Sequence, residues 1–500
     1  MIQAAHKDGT EWKTLWSSQG IAMSIFFGFA FLTWTMMYIL GFNGLYGQDA
    51  HEYLRYSQEL LMWIGGVAAP GKFFWPVNYP FWGAVLGSLL GSLLIGLQLL
   101  SILALGFVPA SLYLILSIEN PKHSSPLLKL SYCLLFCAAS PFLWRSGTLI
   151  MSDAFAIGWL LLFYYGYWYY NKMSAPRYLV LLSIGAVAAV MTRYVLALLI
   201  VLPGIHILSM VIQRRHFLWL LGAGLLGLIF TLPHLFIRSG EPLGFLGHSY
   251  LMGWSGEHWF MRHFATNDGE LSFRFPNLVY AFSYFYHPGF FCFGLLLLPF
   301  IRWRERLSKP KRLVLWSVLL YTLFIAGIPF QNQRFLLPLI PLSLLLWYPA
   351  FCRAIQRMNE IQPQLKWGVL SLVLVVQSCI FVHYSKNLWQ INQQEKEFAE
   401  ALSQYPAKTL YCFYYDGALR SYNSPHELIN LWHEPIEVFE TGSLVLFHPS
   451  RFEKQWEGHT LIENWERLNQ SYDLVVLQEL SKGWRLYEVR SQNPLHESDL

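Results

Sequence analysis

Residues 20–40 read GIAMSIFFGFAFLTWTMMYIL, 21 positions without a charge, and residues 44–63 read GLYGQDAHEYLRYSQELLMW. The first stretch suits a transmembrane helix, because about 20 apolar residues match the hydrocarbon thickness of a bilayer. No small-residue cleavage pattern follows it, so it reads as a retained span and not as a removed signal peptide. The second stretch mixes polar and apolar residues at helical spacing, which places it as a helix near the membrane surface. Asp49, Glu52, Tyr53 and Tyr56 recur at i, i+3, i+4 and i+7 and share one helical face.

Outward from this start the apolar pattern repeats. The chain has 500 residues, 55% hydrophobic and only 13% charged, about half the charge of a soluble domain. Eleven spans are expected, at about 20–41, 92–118, 127–144, 149–170, 178–192, 194–212, 217–237, 288–301, 313–330, 335–352 and 366–384. Residues 81–91 read as an interfacial or half-inserted helix leading into the second span. The expected fold class is a mainly α-helical polytopic membrane protein with a small C-terminal α/β domain. Residues 1–384 form the membrane module, with large outer loops at 42–80 and 238–287. In residues 385–500, the apolar runs TLYCFYY, SLVLF, YDLVVL and WRLYEV alternate with polar helical patterns such as NQQEKEFAEALSQ, which suggests the α/β domain.

Orientation follows from the basic residues. With the N-terminus cytoplasmic, inner segments hold 17 Lys and Arg and outer segments outside the tail hold 8, as the positive-inside rule requires. The tail then lies outside, with 17 acidic against 10 basic residues. Of six cysteines, Cys133, Cys137, Cys292, Cys352 and Cys379 lie in apolar spans and Cys412 stands alone in the tail, so no disulfide forms within the tail. There is no zinc spacing, no nucleotide-binding glycine loop and no nucleic-acid signature.

A carboxylate at Asp49, beside aromatic rings and close to lipid, suits a general base acting on a hydroxyl. The same residues also fit a capping box, with Asp49 as N-cap and Glu52 at the third helical position. Arg55 is expected to pair with Glu52, Glu59 or His51. Asp153, in Ser-Asp-Ala at the start of the fourth span, fits either a helix cap or a group that holds acceptor or metal. Arg193 and Arg334 lie at span ends, where a charge costs about 2.5–3.5 kcal/mol and so has a partner or a function. A guanidinium at that depth matches a lipid phosphate, and snorkelling toward the interface is the bland reading. Lys72, Arg238 and Arg262 are weaker candidates. His248, Glu257, His258, His263, Asp268 and His287 form no metal motif. The aromatics Tyr250, Trp254, Trp259, Phe260, Tyr284 and Tyr286 suit either stacking on sugar or an interfacial belt.

The order of several pieces resembles the GT-C glycosyltransferases, above all the group of protein O-mannosyltransferases and bacterial aminoarabinose transferases. The pieces are QDAHEY, NYP (Asn78, Tyr79, Pro80), MSDAFAIGWLLLFYY, MTRYVLALLIVLP, NQRFLLPLIPL and a tail ending GWRLYEVR. The resemblance implies a multi-pass enzyme of the bacterial inner (plasma) membrane that moves a sugar, with inversion, from a polyprenyl-phosphate donor to a lipid, glycan or protein acceptor on the non-cytoplasmic face. It implies Asp49 as catalytic base, with Asp153, Glu52 and His51 toward acceptor or metal. Arg334 and Arg193 would hold the donor phosphate, and Tyr53, Tyr56 and Tyr79 would line the substrate. Relatives often carry a second carboxylate where this chain has Ala50. No cofactor is fixed by the resemblance, although it leaves room for a divalent cation. A lipid or glycan transporter (flippase) and a non-catalytic scaffold are the competing classes. Against transport, the ionisable residues gather on one side and not at the midplane.

Overall fold

The computed structural model describes residues 2–119, 125–237, 253–266, 269–291, 294–302, 305–453 and 455–492, with side chains from residue 17 onward except at 291 and 492. Two compact units arise. The first comprises 1–44, 56–260 and 277–386, and the second comprises 45–55, 261–276 and 387–500.

The first unit is helical. Among the described residues, six helices are long and apolar enough to cross a membrane: Ser17–Ile39, Leu93–Glu119, Tyr194–Arg214, Phe217–Ile237, Leu339–Ile361 and Leu365–Ser403. A bent pair, Pro126–Ala138 and Pro141–Thr148, turns by 70° and adds a seventh if counted as one span. This bend replaces the straight span expected at 127–144. Pro141 offers no amide hydrogen to continue the ladder, and the helix before it has already loosened into a π-helix over Cys133–Ala138. The span expected at 288–301 is also corrected. Pro288–Phe291 is one short turn, and Gly294–Phe300 is a 3-10 helix containing Pro299. The expected spans at 149–170, 178–192 and 313–330 correspond to helices Ser152–Met173, Tyr178–Thr192 and Lys309–Ala326.

Packing in this unit depends on small residues and on buried hydroxyls, as lipid-embedded helices require. Helix Asn78–Leu90 ends at Gly91 in a left-handed cap and folds back on helix Leu93–Glu119. At 13 residues it spans about 20 Å, too short to cross. A Cβ on Gly96 would lie 2.4 Å from the Gly87 nitrogen, and one on Gly83 would lie 2.2 Å from a Leu97 methyl. Buried tyrosines tie helices together. Tyr132 donates to the Leu344 carbonyl at 2.9 Å, Tyr164 to Leu199 at 2.7 Å and Tyr321 to Phe335 at 2.7 Å.

The second unit holds strands β3 (Thr409–Cys412), β4 (Glu427–Asn430), β5 (Leu444–Phe447), β6 (Tyr472–Glu479) and β7 (Arg485–Gln492), which form a five-stranded mixed sheet in the order β4-β3-β5-β7-β6. Strands β4 and β5 run parallel to β3, while β7 runs antiparallel to β5 and β6. Every residue of β3 and β5 is buried, as in strands covered on both faces, which explains their unbroken apolar runs. Leu410, Leu444, Leu446, Leu461, Leu468 and Leu486 are fully buried, each worth about 1.5–3 kcal/mol of burial. Asn464 fixes a loop from within this core. Its amide donates to the Leu431 and Glu434 carbonyls at 2.8 and 2.9 Å and accepts from the Ile436 nitrogen at 2.8 Å. A separate hairpin, β1 (His263–Thr266) with β2 (Gly269–Ser272), also belongs to this unit.

Candidate functional site

Four of the sequence pieces meet in the first unit. Helix Tyr178–Thr192 stops at Arg193, whose backbone is extended (φ −150°, ψ 107°) before the next helix resumes. Arg334 sits in a 3-10 turn, Gln333–Leu336, capped by the Asn332 side chain, which accepts from the Arg334 nitrogen at 3.0 Å. Asp153 lies in the first turn of helix Ser152–Met173. Its side chain is 1% exposed and touches both arginines, Oδ1 at 2.8 Å from Arg193 Nη2 and Oδ2 at 2.9 Å from Arg334 Nε. Arg193 and Arg334 are 13% and 17% exposed. Neither Ser152 nor Asp153 caps the helix, since the N-cap is Met151 without a side-chain bond.

The Asn-Tyr-Pro piece joins this cluster. Asn78 donates to Thr192 Oγ1 at 2.8 Å, next to Arg193, and the Tyr79 ring lies 5.9 Å from that of Phe155. Tyr79 is fully buried, and its hydroxyl bonds the Leu97 carbonyl and Ser101 Oγ at 3.1 and 2.7 Å. Beyond the cluster, Tyr280 donates to the Asn332 carbonyl and Gln331 to Asn277 Oδ1 at 2.9 Å. Tyr280, Asn277, Gln331 and Asn332 were not among the sequence candidates. Two guanidiniums against one buried carboxylate gather positive charge in a low-dielectric setting, where an anion gains most from it.

The other candidates fall differently. Helix Gly47–Ile64 starts at Gly47, which leaves Asp49 in its first turn and Glu52 in the second, so the capping-box register is not formed. Asp49 is partly exposed, and a carboxylate in that turn is favoured by the helix dipole. Glu52 is held by Arg55 through two contacts of 2.6 and 2.5 Å, both side chains about a third exposed. His51 is buried, with Nε2 3.2 Å from Glu395 Oε2, and the second oxygen of Glu395 accepts from the Gly47 nitrogen at 3.0 Å. Nothing in the sequence pointed to Glu395 as that partner, because 344 residues separate it from His51. Tyr53 and Tyr56 are each 1% exposed, and Tyr56 stacks on Phe73 with centroids 4.0 Å apart. With Tyr79 they pack as core residues and do not line an open surface.

His258 bonds the Gly327 carbonyl, His263 bonds Ser272, and His287 packs among Phe142, Phe290 and Tyr384. Trp254 donates to the Phe324 carbonyl at 2.9 Å. Glu257, Phe260, Arg262 and Lys72 are exposed or nearly so, and Trp259 is partly buried. Tyr284 and Tyr286 bond Thr322 and the Val279 carbonyl. Arg238, His248, Tyr250, Asp268 and Cys292 lie outside the described residues. Among the described residues, no group of three or more His, Cys, Asp or Glu side chains could hold a metal ion.

The chain is an integral membrane protein, with six helices among the described residues long and apolar enough to cross a membrane. The structural likeness extends over almost the whole chain. ArnT from Cupriavidus metallidurans bound to undecaprenyl phosphate superposes with a TM-score of 0.59 at 14% identity, covering 93% of this chain and 97% of that one. The same protein in the apo state gives 0.56 at 14% identity, covering 92% and 97%. At this identity the likeness is one of fold. No family model and no curated protein sequence matches the chain.

Proposed function

We propose that this protein transfers a sugar from a polyprenyl-phosphate donor to a hydroxyl of a lipid, glycan or protein acceptor. The observation that carries the reading is the Arg193–Asp153–Arg334 cluster, in a fold shared with an enzyme solved with undecaprenyl phosphate. The acceptor oxygen attacks the anomeric carbon, the bond from that carbon to the phosphate oxygen breaks, and the configuration inverts. The donor is a phosphodiester with one negative charge. The leaving polyprenyl phosphate is a monoester of about −1.5 to −2 at neutral pH. Charge therefore grows on the phosphate as the bond breaks, and fixed cations stabilise that change more than the ground state. Arg193 and Arg334 supply them, and Asp153 holds both in place. Asp49 takes the acceptor proton. In the same reading the enzyme sits in a bacterial inner membrane, N-terminus cytoplasmic, with the C-terminal domain and the reaction outside. Residues 1–384 form the catalytic membrane module and 385–500 the outer domain.

The test is transfer from radiolabelled polyprenyl-phosphate sugar by purified protein. Arg334→Ala should lose most activity, by about a hundredfold, and Arg334→Lys should retain a fraction. Donor binding unchanged in the alanine variant would remove the phosphate role. Lipid translocation in vesicles without sugar transfer would favour the flippase alternative. Reporter fusions at Lys311 and Ser403 should report opposite compartments.

A further inference from the structure

The second unit contains a cavity of about 240 Å³, lined by Ile391, Gln394, Tyr414, Tyr415, His448, Arg451, Lys482 and Trp484. Three of these can be cationic and three are aromatic. The Arg451 guanidinium carbon lies over the Tyr414 ring, 4.5 Å from its centre, and 6.0 Å from the Trp484 ring centre. It is therefore fixed by ring faces and not by a carboxylate. Among the described residues, neither Arg451 nor Lys482 makes an ion pair. His448 contacts the Trp484 ring edge-on at 5.6 Å and Ser450 at 3.4 Å. The nearby carboxylates are engaged elsewhere, Glu395 with His51 and the Gly47 nitrogen and Glu397 with the Ser481 nitrogen at 3.4 Å.

Backbone geometry adds to this. Tyr414 and Lys482 hold φ of +77° and +57°, a region uncommon for residues with a Cβ and enriched at ligand clamps. Burial pushes the Tyr414 phenol up, and Arg451 only partly offsets it, so the hydroxyl stays a neutral donor and acceptor on the cavity wall.

We infer that this cavity binds an oxyanion carried on a saccharide, a phosphate or carboxylate sugar. Arg451 and Lys482 face the oxyanion. A preorganised guanidinium accepts it bidentately with little ordering cost, and the aromatic walls favour an attached sugar ring over a bare ion.

Binding is measured by calorimetry on the full-length protein in detergent, with glucose 6-phosphate, glucuronate, inorganic phosphate and glucose as probes. One or both charged sugars should bind, more weakly as salt rises, and at least about tenfold more tightly than glucose or inorganic phosphate. Arg451→Ala with Lys482→Ala should weaken that binding at least about tenfold while leaving thermal unfolding near that of the parent. Arg451→Lys checks for misfolding, since it keeps the charge and loses the fork. Glucose binding as tightly, phosphate binding as tightly, or a double variant that binds like the parent would each overturn the inference.

Discussion

Replacing Asp153 separates its roles by sign. Its carboxylate is 1% exposed and lies 2.8 and 2.9 Å from two guanidinium nitrogens. At an effective dielectric of 20, unit charges about 4 Å apart attract by about 4 kcal/mol, most of it offset by desolvation. Removing the carboxylate alone leaves two partly buried cations facing each other, and stability should fall by about 3–5 kcal/mol in Asp153→Ala. Asp153→Asn keeps one acceptor oxygen and should lose less, about 1–3 kcal/mol. Meanwhile the cluster becomes more positive by one unit of charge. If the arginines face donor phosphate, undecaprenyl phosphate should bind Asp153→Asn as tightly as the parent or up to about tenfold more tightly, equal to about 1.4 kcal/mol. Transfer should fall because the arginines are no longer held in place. Thermal and denaturant unfolding in detergent give the first quantity, and equilibrium binding of the lipid gives the second. Donor binding more than tenfold weaker in a variant that remains folded would refute the counter-ion argument, for then Asp153 itself contacts the ligand or a bound metal.

Asp49→Asn should fold and bind donor normally yet turn over at least about a hundredfold more slowly, because an amide cannot accept the proton. Glu52→Gln should lose less, since Arg55 already holds that carboxylate. Parent-like turnover by Asp49→Asn at saturating donor would place the base elsewhere. His51→Ala removes the buried partner of Glu395 and should destabilise by about 1–3 kcal/mol, whereas His51→Gln should recover part of it. Loss in thermal unfolding common to both variants would show that packing, not the hydrogen bond, matters. Cys412 is fully buried, and burial pushes its thiol up. In a variant carrying Cys412 alone, aqueous maleimide should label it only after unfolding, and rapid native labelling would contradict the packed sheet.

The spans were legible wherever apolar runs passed about 20 residues, and the sheet wherever runs such as LVLF marked central strands. Strand β4, ELIN at 427–430, was not legible, because an edge strand of one exposed and three half-buried residues has neither a run nor a clear alternation. The 3-10 helix at Gly294–Phe300, in place of a long α-helix, was hidden for the opposite reason. Phe290 to Phe300 is apolar enough for a span, and only the proline and glycine punctuation argued against one. Arg193 and Arg334 announced themselves as charges at membrane depth, but their shared partner did not, since Asp153 also looked like a helix cap. His51 suffered similarly, because a histidine on a polar helix carries no local sign of a carboxylate hundreds of residues away. Local chemistry shows in a sequence, while pairings across the fold do not.

The hairpin between helices Asn78–Leu90 and Leu93–Glu119 also limits how the protein can change. A methyl group at Gly83, Gly87 or Gly96 meets atoms closer than 3.0 Å, in two of the three cases backbone that cannot swing aside. Gly20, Gly28, Gly204, Gly222 and Gly224 meet nothing within 4 Å, and alanine there would add helix propensity of about 0.5–1 kcal/mol each. A stabilisation library therefore has two kinds of glycine to treat oppositely: open ones such as these five, free to diversify, and those of the hairpin, where drift is closed and every accepted sequence should read glycine.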